Sequence, residues 1–173
     1  MNRQRFDDLL HALSQITRDR ELVMIGSQAV HAATADPPDE VQISRECDVL
    51  LDDSDPLVAA IDEQLGRDSA YAAESYVHVD TVSSTFPFLP AGWEQRLVSL
   101  AGFPHVRCLE IHDLVLSKLA AGRLKDYELI AVLLDRTLAD VAIVRDRIAG
   151  VFDLHMRAIL SARLQIVLDG APR

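Results

Sequence analysis

Two carboxylates stand two residues apart in the stretch RECDVLLD, at Glu46 and Asp48. Side chains at this spacing point to the same face of a β-strand, so we expect the two charges to lie close together. Like charges at short range repel each other unless a cation lies between them. Mg²⁺ suits this position because it takes oxygen ligands and bridges carboxylates to substrate phosphates. The pair therefore predicts a magnesium site, and a solvated edge strand is the alternative interpretation.

A glycine–serine step, Gly26-Ser27, ends the apolar run ELVMI upstream of the carboxylates. A glycine before a helix lets the backbone approach a ligand closely, and the following amides and serine hydroxyl can hold a phosphate. We expect Ser27 to cap the short helix SQAVHAA. Phosphate binding beside a carboxylate pair favours nucleotidyl transfer.

A second group, of four charged residues and one glycine, surrounds a break between two helices in HDLVLSKLAAGRLKDYELIAVLL. Its members are Lys118, Gly122, Arg123, Lys125 and Asp126. Lys118 shares a helical stripe with the apolar Leu114, so its amine either snorkels to solvent or points into a cleft. A pair of ordinary helices with solvated charges is the alternative interpretation.

Asp80, in YVHVDTV, is a candidate third metal ligand on a neighbouring strand, and His78 shares its face of that strand. A surface acid is the alternative interpretation of Asp80. The six histidines show no zinc-site spacing, and we interpret them as structural.

The predicted elements that position these residues are strands and helices up to residue 109 and helices alone after it. Periodicity predicts a helix over 4–18, strands near 21–26 and 46–52, and a helix over 53–66. Further strands are predicted at 75–82, 95–100 and 104–109, followed by helices at about 110–121, 124–135, 138–149 and 153–168. The fold class is α+β, with a sheet core over 1–109 and an all-helical part over 110–173 that packs on the core as one structural unit.

Composition limits the class of protein. The net charge of −10 disfavours a simple nucleic-acid-binding module. Residues 107–173 carry a net +1 against −11 for residues 1–106, so any polyanion should meet the second part. No apolar run approaches the ~18 residues of a membrane span, and no signal-peptide pattern is present. With two cysteines in apolar contexts, we expect a cytoplasmic protein.

The order of these motifs resembles a bacterial family of small nucleotidyltransferase-fold proteins of unknown function, related to the AbiEii and MenT toxins. The resemblance rests on IGSQAV, RECDVLLD, LPAGWEQRLV and CLEIHDLVLSKLAAGRLKDYEL, over residues 22 to about 134. It implies a minimal nucleotidyltransferase-like mixed sheet flanked by helices. By the same resemblance, Gly26, Ser27, Lys118 and Arg123 hold the nucleotide, Glu46 and Asp48 hold Mg²⁺, and Asp126 orients Lys118 or the attacking hydroxyl.

The function that the resemblance implies is Mg²⁺-dependent transfer of a nucleotide from a nucleoside triphosphate (NTP), such as ATP, to tRNA or another RNA. Such a protein would be the toxin of a toxin–antitoxin pair, with a cognate antitoxin as its partner. The apolar faces of helix 153–168 suggest packing, homodimerisation or antitoxin contact. Two alternatives stay open: a catalytically idle protein that binds a nucleotide or partner, and a transferase acting on a protein or small-molecule hydroxyl.

Overall fold

The computed structural model describes residues 1–83, 85 and 87–170. The helices are α1 Arg3–Thr17, a 3₁₀ helix Ser27–Ala32, α2 Asp39–Gln42, α3 Pro56–Leu65, α4 Ala70–Ser75, α5 Trp93–Arg96, α6 Ile111–Ala121, α7 Leu124–Asp135, α8 Val141–Ala149 and α9 Leu154–Leu168. The strands are β1 Leu22–Ile25, β2 Glu46–Leu50, β3 His78–Val82, β4 Val98–Leu100 and β5 Phe103–Cys108. The predicted α+β class, with helices flanking a mixed sheet, is confirmed.

The five strands form one sheet in the order β3-β2-β1-β5-β4. Strand β1 pairs antiparallel with β2 and parallel with β5, while β2 and β3 run parallel. Along β2, Cys47 and Val49 are buried in the core, and Glu46 and Asp48 are partly exposed on the opposite face. The alternation inferred from the sequence therefore places both carboxylates on the same face of the sheet.

Short helices replace the ends of two predicted strands. Residues 70–75, near the start of the strand expected at 75–82, form α4, whose N-terminus is capped by the Ser69 hydroxyl accepting from the amide of Ala72 at 3.1 Å. The strand expected at 95–100 begins only at Val98, because Trp93–Arg96 forms the turn of α5 after left-handed Gly92. These caps and turns override the apolar pattern.

The expectation that Ser27 caps a helix is wrong. Ser27 is the first residue inside the 3₁₀ helix, Gly26 occupies the cap position, and no side chain caps this helix. Gly26 has φ of 70° and ψ of −171°, a conformation open essentially to glycine alone. The turn therefore depends on the glycine, and Ser27 is left buried at its inner side.

The helices after residue 110 pack around α6, which buries Leu114, Leu116 and Leu119. Glu110 caps α6 by accepting from the amides of His112 and Asp113. On α9, Leu160, Leu164 and Val167 are buried, whereas its apolar outer positions remain exposed. Within the described residues, none of the helices has the length and apolar character needed to cross a membrane.

We expect His31 to make the stability of the core depend on pH. Its ring stacks on Phe6 with 4.1 Å between centroids, and burial lowers its pKa to about 4. The folded state thus binds a proton less readily than the unfolded chain, whose histidine pKa is near 6.5. Stability should fall as the pH drops from about 6.5 to 4, by roughly 3 kcal/mol from this residue.

Urea unfolding at pH 7 and at pH 4.5 measures this effect. His31→Phe keeps an aromatic ring against Phe6 and should weaken the pH dependence. His155→Phe, at an exposed position of α9, should leave it unchanged. Equal pH dependence in wild type and His31→Phe would contradict the assignment.

Candidate active site

Strand register brings the acidic side chains together. Parallel pairing of β2 with β3 sets Glu46 opposite His78 and Asp48 opposite Asp80. Ligand atoms of Glu46, His78 and Asp80 all lie within 4.8 Å of one another. The neighbouring position of Asp48 completes a group of three carboxylates and one imidazole on one face of the sheet.

Gly26 lies directly against Asp48. The antiparallel register pairs Ile25 with Asp48, so the turn after β1 passes over the carboxylate. A Cβ added at Gly26 would overlap Asp48 Oδ2, far inside any allowed contact. The glycine therefore serves two needs, since it supplies the backbone conformation of the turn and leaves space for the carboxylate.

Gly26→Ala should disturb this arrangement severely. The new methyl group must displace Asp48, and the alanine must also adopt a backbone conformation that costs of order 1–3 kcal/mol. We expect a total loss of about 2–4 kcal/mol in the free energy of unfolding, measured by urea titration. Gly170→Ala, at an open position with φ of 86°, is the control for the backbone term alone. Equal losses in the two variants would contradict the close contact.

The cations come from the junction of α6 and α7. Lys118 Nζ lies 3.7 Å from Asp126 Oδ1, and the Lys118 side chain is 12% exposed. Arg123 donates to both oxygens of Asp126, from Nε at 2.8 Å and from Nη2 at 3.1 Å. Asp126 also accepts from the Arg123 amide and so caps α7. Asp126 thus holds both cations in place at the helix junction.

Burial and like charges perturb the ionisation of the site. Burial raises the pKa of Asp48 to about 6, and the charges of Glu46 and Asp80 add to the rise against the opposing effect of Lys118 and Arg123. Burial also lowers the pKa of Lys118, and Arg123 adds to the lowering, although Asp126 and Asp48 oppose it. A carboxylate whose ionisation is disfavoured in this way gains from a bound cation.

Two cavities meet at Lys118, which lines both. The first, of about 300 Å³, is lined by residues that include Ser27, Glu46, Lys125 and Asp126. The second, of about 520 Å³, contains Gly26, Asp48 and Arg123 and has apolar walls that include Phe88 and Met156. Of the candidate residues named from the sequence, Asp80 and Gly122 line neither cavity, and the others line one or both. Asp80 pairs with Asp48 in the sheet register instead.

A family model described as nucleotidyltransferase of unknown function (DUF6036) matches residues 4–158. The chain belongs to this family. The match spans the sheet, the carboxylates and the helix junction, and it assigns the general class of nucleotidyltransferase. No curated protein and no solved structure gives a significant match.

In this member of the nucleotidyltransferase family, basic side chains already neutralise part of the acidic group. Lys125 Nζ lies 3.2 Å from Glu46 Oε1, and Arg67 Nη2 lies 3.2 Å from Asp80 Oδ2 and 3.9 Å from Glu46 Oε2. Burial opposes ionisation of Glu46, but the hydrogen bond and charge of Lys125 outweigh it and lower the pKa of Glu46.

Sequence reasoning missed Arg67 and set aside His78 as structural. Arg67 follows Gly66, two residues beyond the end of α3, and reaches Asp80 only because α3 packs beside β3. His78 faces Glu46 through strand register rather than through local spacing. Its period-two spacing from Asp80 was the one signal in the sequence that could have marked it.

Proposed function

We propose that this chain catalyses divalent-metal-dependent transfer of a nucleotide from an NTP to an acceptor hydroxyl. The observation that carries the proposal is the placement of Glu46 and Asp48 in two cavities that share Lys118 as a lining residue. A transfer reaction needs space for two substrates on either side of one reacting phosphate. Charges that are buried together in a cleft without serving a reaction would be costly to fold.

The donor set of the site fits a metal ion. Glu46 and Asp48 would hold it, with Asp80 as a third carboxylate ligand, and oxygen ligands of this kind suit Mg²⁺. When bound, the ion would neutralise charge that develops on the phosphate oxygens during transfer. The raised pKa of Asp48 supports this assignment, because a nearby cation would relieve the repulsion among the three acids.

The remaining residues act on the NTP. The backbone of Gly26 and the hydroxyl of Ser27 would bind phosphate oxygens at the turn after β1. Lys118, with Arg123 nearby, would stabilise the pyrophosphate that leaves as the acceptor oxygen attacks the α-phosphorus in line. Asp126, which contacts both cations, would position Lys118. The apolar walls of the larger cavity suit the nucleobase.

RNA, with tRNA foremost, is the acceptor class that we propose, and the physiological role that fits it is that of a cytoplasmic toxin neutralised by a cognate antitoxin. The net charge of −10 does not favour this acceptor, and the exposed side chains of Arg123 and Lys125 at the α6–α7 junction are the contacts that we propose for its phosphates. Protein and small-molecule hydroxyls are the competing acceptors.

Label transfer distinguishes these acceptors. Purified protein is incubated with Mg²⁺ or Mn²⁺, each α-³²P-labelled NTP in turn, and either bulk tRNA or a cell lysate. Label in RNA that depends on Asp48 supports the proposal. Label in protein or in a small molecule keeps the transferase and changes the acceptor.

A catalytically idle, nucleotide-binding protein is the second candidate. Two observations favour it, namely the ion pairs that Arg67 and Lys125 make with Asp80 and Glu46. These pairs stabilise the acidic group without a metal ion. NTP binding by calorimetry, together with no transfer to any acceptor, would favour this candidate over the transferase.

Lys118→Met tests the cation proposed for the leaving group. Methionine fills a similar volume without the charge, so we expect transfer to fall about 10²-fold while the fold is retained. Arg145→Met, at an exposed position on α8, is the matched control. Initial rates of label transfer measure both variants. Wild-type rates in Lys118→Met would remove Lys118 from the mechanism.

A further inference from the structure

His78 presents an unpaired nitrogen to the acidic group. Its side chain is 11% exposed, and Nε2 has no hydrogen-bond partner among the described residues. Nε2 lies 3.3 Å from Asp80 Oδ1 but without the geometry of a hydrogen bond. A buried polar atom without a partner is unfavourable, and a bound metal ion would give this nitrogen one.

We propose that Glu46, His78 and Asp80 form a mixed nitrogen–oxygen site for a divalent transition-metal ion, with Mn²⁺ bound in preference to Mg²⁺. This inference rests on the proposed function, because the site shares Glu46 and Asp80 with the carboxylate ligands proposed there. It adds an imidazole ligand to that assignment and changes the identity of the preferred ion.

The geometry is close to that of a coordination site. A metal ion about 2.1 Å from each ligand needs ligand atoms within roughly 4.2 Å of one another. The three ligand atoms lie within 4.8 Å, so small side-chain rotations complete the site. Three protein ligands leave further positions on the ion for water or phosphate oxygens.

The ligand types determine the metal preference. Mg²⁺ takes oxygen ligands almost exclusively, whereas imidazole nitrogen favours first-row transition metals. Within that series Mn²⁺ tolerates a site made of two carboxylates and one imidazole, and Co²⁺ or Zn²⁺ should bind more tightly still. The single nitrogen from His78 therefore sets the preference against Mg²⁺.

Arg67 and Lys125 are the cations that a metal ion must displace. Their side chains are 67% and 59% exposed, so both can move into solvent. Arg67 contacts two of the three ligands, Glu46 and Asp80, and is therefore the stronger competitor. Removing its charge should tighten metal binding.

The test measures metal binding in the absence of NTP and acceptor. Titration calorimetry of metal-free protein should give at least about tenfold tighter binding of Mn²⁺ than of Mg²⁺. Pulsed electron paramagnetic resonance of the Mn²⁺ complex should show coupling to ¹⁴N from imidazole. His78→Asn should lose this coupling and bind Mn²⁺ at least about tenfold more weakly. His155→Asn, at an exposed position of α9, should retain both properties.

Arg67→Gln keeps the proposal testable if His78→Asn fails to fold, and it should bind Mn²⁺ a few-fold more tightly than wild type. Absence of ¹⁴N coupling in the wild-type complex, or weaker binding by Arg67→Gln, would overturn the inference. Nitrogen coordination without nucleotide transfer would leave this inference standing and reject the proposed function. Nucleotide transfer with Mg²⁺, together with no ¹⁴N coupling in the Mn²⁺ complex, would support the proposed function and reject this inference.

Discussion

Asp48→Asn should lower the rate of nucleotide transfer by at least about 10³-fold, which corresponds to roughly 4 kcal/mol of transition-state stabilisation. The substitution keeps the shape of the side chain beside Gly26 and removes the charge that would hold the metal ion. Initial rates of label transfer from an α-³²P-labelled NTP measure the loss. Asp53→Asn, exposed just beyond the same strand, should behave as wild type.

The same variant should be more stable than wild type in EDTA. Because the folded-state pKa of Asp48 is raised from 3.8 to about 6, ionisation of this carboxyl opposes folding. The cost is absent below about pH 3.8 and complete above about pH 6, where it reaches at most about 3 kcal/mol. Urea unfolding at pH 7.5 should therefore show a higher midpoint for Asp48→Asn. A variant that loses both activity and stability would contradict a purely functional role for Asp48.

Asp113→Ala should be the most destabilising of these substitutions, at about 3–5 kcal/mol. Asp113 is fully buried and accepts hydrogen bonds from Arg96 Nε at 2.7 Å and from Arg147 Nη1 at 2.7 Å. Arg147 also pairs with Glu110, the residue that caps α6. Removal of the central carboxylate leaves the Arg96 guanidinium without a carboxylate partner and Arg147 with Glu110 alone, which loosens the link between α5, α6 and α8.

Urea unfolding of Asp113→Ala and Asp113→Asn measures this effect. Asparagine retains one acceptor oxygen, so it should lose less stability than alanine but still more than about 1 kcal/mol. Asp146→Ala, exposed on α8, should change stability by less than about 0.5 kcal/mol. A loss below about 1 kcal/mol in Asp113→Ala would show that the arginines find other partners.

Local periodicity predicts much of this fold. The two-residue alternation in β2 separates the buried Cys47 and Val49 from the candidate ligands Glu46 and Asp48, and the structure confirms that separation. The helices after residue 110 also follow their predicted bounds within a few residues, because each has apolar residues at helical spacing. These features depend on near neighbours in the chain and can be inferred from one sequence.

Features that depend on strand register or on helix packing could not be inferred in this way. Asp113 looks like an ordinary polar position of a helix, and its burial arises from Arg96 and Arg147 on two other elements. Arg67 reaches Asp80 through the packing of α3 on β3, and His78 meets Glu46 across parallel strands. No spacing rule in the sequence connects these pairs.

Paired isotopic labels test the central claim most directly. The protein is incubated with its metal ion, an acceptor RNA and the same NTP labelled with ³²P at either the α- or the γ-phosphate. A nucleotidyltransferase places the α label in the acceptor and releases the γ label as pyrophosphate, and Asp48→Asn abolishes both events. Appearance of the γ label in the acceptor would identify a phosphotransferase instead. Transfer of the α label or release of labelled pyrophosphate that persists in Asp48→Asn would contradict the assigned site.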